Sequence, residues 1–233
     1  MKYMGSKFRI ARYILPIMLA KRREEQWWVE PFVGGGNVID KVDGNRLGAD
    51  YNQYAIDALV AIRDHVLDLP RNNTEFTEED YKKLRYSDTY KYKGYAGFAF
   101  SYGAKWLGGW RRNSPGARDY VKESYFSALT QSPLLQGVEL ICAPYWDLQI
   151  SPNSLIYCDP PYAETTKYTH SFDHASFWQW CREKTAEGHT VFVSEYTAPD
   201  DFTCIWSKEI VSSLTRDTGS KTGLEKLYYK MEI

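Results

Sequence analysis

"VEPFVGGGN" (29–37) is the stretch that decides the fold. It completes the apolar run "WWVEPF" (27–32), read as a short strand, and its glycines let a ligand approach the backbone closely. A helix following it would point a positive N-terminal end at that ligand. "RLGAD" (46–50) is a second short strand ending in a carboxylate, and "NQYAIDALVAIRDHV" (52–66) brings Ala55, Ile56, Leu59, Val60 and Val66 near one helical face. The order strand, Gly-rich turn, helix, strand, helix predicts an α/β sheet with a ligand at its strand ends. Asp50 ends the second strand, where an acid accepts hydrogen bonds from both ribose hydroxyls of a nucleoside. The loop has neither the Lys-Ser/Thr of a P-loop nor a complete G-x-G-x-x-G, so the nucleoside need not carry phosphates. A tight turn beside a surface acid is the plainer alternative.

Around this core, residues 7–22 read as a helix with Ser6 as N-cap and Pro16 awkwardly inside it. Strand-like runs return at 138–142, 154–158, 190–194, 203–207 and 226–231, with a helix predicted over 174–188. Between about 70 and 136 the strand alternation stops. A capped short helix ("TEEDYKKLR", 77–85), a Tyr/Lys-rich run, a Gly/Trp-rich run and an amphipathic helix near 117–131 replace it. The organisation expected is one α/β domain, 1–68 and 137–233, interrupted by a mostly helical insert, 69–136.

The bulk composition excludes more than it identifies. No apolar run approaches the roughly 18 residues of a membrane span, and "MKYMGSKFRI" lacks the apolar core of a signal peptide. The four cysteines are spread singly with no CxxC, which gives no zinc or redox motif and no metal expectation; Cys142 and Cys158 fall in strand-like runs and are expected to be buried. The reading is a cytoplasmic protein in a reducing compartment.

"SLIYCDPPYAET" (154–165) raises the chemical question. A buried strand runs into Asp159 and then Pro160 and Pro161, which fix φ twice and donate no hydrogen bond. Asp159 and Tyr162 are therefore held on a stiff bracket at a strand end.

"YMGSK" (3–7), "PFVGGG" (31–36), the irregular insert and "DPPY" (159–162), in that order, resemble the DNA adenine methylase (Dam-like) family of adenine-specific DNA methyltransferases. "VFVSEYTAP" (191–199) is similar to a later strand motif of its phage and bacterial members, so a phage or prophage member is expected. The resemblance covers nearly the whole chain. It implies a Rossmann-like S-adenosylmethionine-dependent fold with a target-recognition insert, and double-stranded DNA as partner with no obligatory protein partner. It implies that Tyr3, Lys7, Phe32, Gly34, Gly36, Asp50 and Asp159 face the cofactor. Asp159, Pro160 and Tyr162 are the implied catalytic residues. The exocyclic amine of adenine is a poor nucleophile because its lone pair is delocalised; a carboxylate at Asp159 and the Pro160 carbonyl would accept its two hydrogens. Tyr162 would stack on a base flipped from the duplex. On its own, a Lys at the start of a helix is a solvated surface residue.

Residues 81–122 hold ten basic and two acidic side chains, a local +8 in a chain of net charge −1. Tyr, Phe and Trp are interleaved through them. A basic stripe attracts phosphates, and aromatic rings stack on bases. "KWLGGWRRNSPG" (105–116) is the expected DNA contact, with Lys105, Trp106, Trp110, Arg111, Arg112 and Asn113 as candidates. Most of the other tyrosines are expected to build the insert's own core. Cytosine in DNA, an RNA base or a catalytically dead DNA-binding decoy remain open as alternatives.

Overall fold

The computed structural model describes residues 1–112, 118–161, 172–212 and 221–230. The chain begins with helix α1 (Phe8–Leu19), then strand β1 (Trp28–Glu30), strand β2 (Arg46–Asp50) and helix α2 (Gln53–Asp64). Helices α3 (Glu78–Lys83), α4 (Lys93–Ala99) and α5 (Tyr120–Leu135) lead to β3 (Val138–Cys142) and β4 (Leu155–Cys158). Helix α6 (His174–Ala186), β5 (Thr190–Ser194), β6 (Thr203–Ser212) and β7 (Lys221–Tyr229) complete it.

The strands form one seven-stranded sheet in the order β3-β2-β1-β4-β5-β7-β6. The first five run parallel; β7 is antiparallel to both β5 and β6. This is a doubly wound, Rossmann-like α/β sheet with an antiparallel pair at one edge. The chain runs outward from β1 to β3 and then returns to β1's other side with β4, so a crevice opens between the carboxyl ends of β1 and β4.

Sequence pattern explains the layers. Every residue of β4 and β5 is buried, as parallel strands covered on both faces require. Alternate side chains serve opposite faces: Leu155, Tyr157 and Phe192 pack with α1, α2, α4 and α5, while Ile156, Cys158, Val191 and Val193 pack with α6. Four helices start at a side-chain cap, with Asn52, Thr77, Asp119 and Asp173 each accepting a first-turn N–H. Each cap is worth about 1 kcal/mol. At Thr77 the cap is reciprocal, because Asp80 accepts the Thr77 N–H in return. Among the described residues no helix is long and apolar enough to cross a membrane.

Three expectations are corrected. The helix predicted after the glycines is only a 3-10 turn, Ile39–Lys41, because the few residues before β2 leave no length for a helix that could return to the sheet. Among the described residues no helix N-terminus follows the glycine loop directly. Cys142 is exposed, since β3 is an edge strand whose pattern opens to solvent at its end; Cys158 is buried as expected. Helix α1 begins at Phe8 rather than residue 7, with Ser6 Oγ accepting the Phe8 N–H at 3.2 Å, and ends within a turn of Pro16.

Residues 69–136 do not stand apart from the sheet domain. Tyr81, Tyr95, Phe98 and Phe100 share one buried cluster with Ile14, Leu59 and Tyr157. A Cβ on Gly94 would run into the backbone of α2 at Tyr54, which is why α4 carries glycine at that contact.

Candidate active site

Asp50, at the carboxyl end of β2, is oriented by two backbone donors. Gly34 N–H reaches Oδ2 at 3.0 Å and Asn52 N–H reaches Oδ1 at 2.9 Å. Burial pushes its carboxyl above the usual carboxylate range, and these two N–H groups oppose that shift. Gly34 and Gly36 adopt φ of 47° and 65°, which favour glycine. The Tyr3 ring fills the space beside Gly34: a Cβ there would lie 2.9 Å from Cε1. Beneath the loop, Gln131 Nε2 of α5 donates to Gly35 O at 3.0 Å and Gly36 O at 3.2 Å. Phe32 turns toward α6, among Tyr145, Phe172 and Phe177 at 5.4–5.8 Å.

Across the crevice, Asp159 leaves the end of β4. Its Oδ1 lies 2.8 Å from Lys7 Nζ, and Glu225 Oε2 of β7 lies 3.8 Å from the same nitrogen. Lys7 is 7% exposed, so it is no solvated surface residue. Burial pushes Asp159 up to about 6, while the charge and hydrogen bond of Lys7 pull it down. Burial works against the Lys7 ammonium, but Asp159 and Glu225 outweigh it and raise Lys7 above its ordinary value. Behind Asp159, the Tyr157 hydroxyl and Ser194 Oγ are hydrogen-bonded at 2.8 Å. Pro160 is buried, as a rigid bracket requires. Tyr162 lies outside the described residues.

The insert reaches the same rim. Met4 N donates to Ala104 O at 3.3 Å and Tyr3 packs on Phe98 at 5.1 Å. Residues 101–110 form a short hairpin closed by the Ser101–Trp110 bridge, with Gly109 N donating to the Tyr81 hydroxyl at 3.2 Å. Of the DNA-contact candidates, Lys105 is exposed. Trp106 is half-buried: its ring stacks on Tyr54 at 4.1 Å, packs against Phe98 and covers Gly97. Trp110 leans on Tyr81 and Phe100 and lines a cleft with Lys82, Arg85, Tyr102 and Arg112. Arg111 lies over the Tyr120 ring at 4.0 Å, and Arg112 pairs with Glu78. Asn113 lies outside the described residues.

Sequence reading missed three groups. Glu225 sits in "GLEKLYY", whose alternation of apolar and charged residues looks like any exposed strand. Glu30, directly before the loop, is buried, accepts Trp28 Nε1–H at 2.8 Å and is held well above the usual carboxylate range by burial. Tyr51, the residue after Asp50, is 72% exposed; its position was the available signal.

The donor set is compatible with a nucleoside: an oriented acid stands at the end of β2 beside the glycine loop, and that loop carries no Lys-Ser/Thr phosphate grip.

The chain is 25% identical over 209 residues to the type II methyltransferase M.FokI of Planomicrobium okeanokoites, an alignment covering 78% of this chain and 31% of that protein. The chain thus spans about a third of the curated relative it matches. It also aligns with the crystal structure of SMU.472 complexed with SAH, at 9% identity and a TM-score of 0.44, covering 100% of this chain and 55% of that one. Residues 3–96, which hold Tyr3, Lys7, the glycine loop and Asp50, match the model of one family, the D12 class N6 adenine-specific DNA methyltransferases.

Proposed function

We propose that the chain transfers a methyl group from S-adenosylmethionine to the exocyclic amino group of adenine in double-stranded DNA. The observation that carries this reading is an acid at the end of β2, held by the glycine loop, at the same crevice as the buried Lys7–Asp159 ion pair. The cofactor supplies an activated methyl group. Asp50 would hold its ribose, with Gly34 and Asn52 fixing the carboxylate, and the loop at Gly34–Gly36 would border its amino-acid part. Tyr51 offers an open aromatic face next to Asp50.

Asp159 acts as an acceptor. Lys7 keeps it ionised in a buried place where it would otherwise take up a proton. The carboxylate and the Pro160 carbonyl would hold the two amine hydrogens and favour the tetrahedral nitrogen needed for attack. Tyr162 would stack on the flipped adenine. The division into catalytic parts, 1–68 and 137–233, and a target-recognition insert, 69–136, belongs to the same reading. Lys105, Arg111, Arg112 and Asn113 would meet DNA, joined by Lys82 and Arg85 of the cleft.

The test is to incubate the protein with S-adenosylmethionine and unmethylated genomic DNA, then sequence with a modification-sensitive read-out. N6-methyladenine in one short motif is expected, and Asp159→Ala should lower its yield at least a hundredfold. Methylcytosine would overturn the base assignment; no methylation by the parent chain would overturn the activity.

A further inference from the structure

Basic side chains also gather outside the insert. Residues 1–23 hold seven of them and no acidic one. The start of this segment rests on the insert, through the Tyr3–Phe98 ring contact and the bond from Met4 N to Ala104 O, and Lys7 then reaches Asp159 in the crevice. From there α1 runs along β6 and β7, with Tyr13 beside Trp206 at 6.3 Å and Lys21 over the Tyr229 ring at 4.7 Å. The insert packs on α2, which lies along β2 and β3 at the other end of the sheet. The β1/β4 crevice therefore has the insert on one flank and α1 with β6 on the other.

In α1, Ile10, Ala11, Ile14, Leu15 and Met18 are buried, which turns Arg9 and Arg12 to solvent one turn apart, with Tyr13 half-buried beside them. Arg12 Nη2 donates to the Tyr13 hydroxyl at 2.6 Å, and its guanidinium lies over the same ring at 4.6 Å. Lys208 of β6 shares that ring, with Nζ 3.5 Å from its centroid. In the β6/β7 register Lys208 stands opposite Glu225, the residue that reaches Lys7, so it belongs to the crevice end of its strand. Among the described residues Arg9, Arg12 and Lys208 form no ion pair, whereas Arg112 and Arg118 of the insert are each paired with a carboxylate. Cations gathered on an aromatic face keep their charge for an incoming anion.

Resting on the DNA reading above, we propose that Arg9, Arg12 and Lys208 form a second phosphate-binding surface, which holds the DNA backbone on the flank of the crevice opposite the insert. Base contacts belong to the insert; α1 and β6 grip the backbone without regard to sequence. The duplex is then held on both sides of the base that enters the crevice.

The experiment is filter binding across a salt series with two duplexes of one length and unrelated sequence, one of them carrying the methylated motif. Arg9→Ala combined with Arg12→Ala and Lys208→Ala is expected to weaken both duplexes by the same factor, roughly tenfold or more at low salt, and to reduce the salt slope by about 2–3. Arg9→Lys combined with Arg12→Lys keeps the charge and should keep the slope. Melting curves identify any variant that has lost its fold. A folded triple variant with the parent's affinity and slope would overturn the proposal, as would a loss confined to the duplex with the motif, which would mean base reading. If the triple variant matches the parent while Arg111→Ala with Arg112→Ala loses slope, the DNA reading stands and only this proposal falls. If the parent chain binds neither duplex, the DNA reading itself falls, and this proposal with it.

Discussion

Lys7, at the cap of the first helix, and Asp159, at the end of β4, form an ion pair at 2.8 Å in a largely buried crevice. Asp159 titrates at about 6, raised by burial and restrained by Lys7. On the proposed reading the ionised carboxylate is the stronger acceptor for an amine hydrogen, so methyl transfer should fall as pH drops through about 6. Lys7→Met removes the restraint, and the acid limb should move upward by roughly 1–2 units. A pH–rate profile with the same limb in both proteins would contradict the pairing. For stability the sign is opposite: the fold binds this proton more tightly than the unfolded chain does, so ionising Asp159 costs stability as pH climbs from about 4 to about 6.

Asp50→Ala should weaken cofactor binding by about 1.5–3 kcal/mol, the scale of hydrogen bonds to a charged group. It should also release the Gly34 and Asn52 N–H groups that the carboxylate now gathers. Calorimetric affinity equal to that of the parent would remove Asp50 from the ribose position.

Arg111→Ala combined with Arg112→Ala should lower DNA affinity and flatten its dependence on salt. Each phosphate left without its arginine should reduce the slope by about 0.9. Glu78 now pairs with Arg112 and Lys82, so Glu78→Gln should act the other way and tighten binding. Filter binding across a salt series reads both; coincident curves for all proteins would move the DNA interface elsewhere.

Gly97→Val should destabilise the chain by about 1–3 kcal/mol, because the new side chain would enter the Trp106 ring. For a chain of this size each kcal/mol lowers Tm by about 2–4 °C. A melting curve like the parent's would show that Trp106 does not need that notch.

Where burial repeats simply, the sequence was enough. The runs at 46–50 and 190–194 are the bounds of β2 and β5, since interior parallel strands are short and largely buried, and the run at 138–142 is that of the edge strand β3. Thr77 and Asp80 announced α3 through their reciprocal cap. What depends on distant packing was not legible. A glycine loop is usually followed by a helix, yet here the spacing to β2 admits one turn. Trp106 in a Gly/Trp-rich basic run looked like a stacking surface, and only the approach of α4 to α2 gives its ring to Tyr54. Glu225 meets Lys7 through the register of β7 with β5, which no local pattern encodes.

The fusion of the insert with helix α2 has a consequence for engineering. Gly94 lies against the Tyr54 backbone and Trp106 covers its ring, so residues 69–136 are not an exchangeable cassette. A donor segment grafted from a relative would have to bring a matching α2 surface or lose its footing. If the proposed DNA reading holds, new target specificity is more readily sought by substituting outward side chains of the cleft, at Lys82 or Tyr102, than by swapping the segment whole.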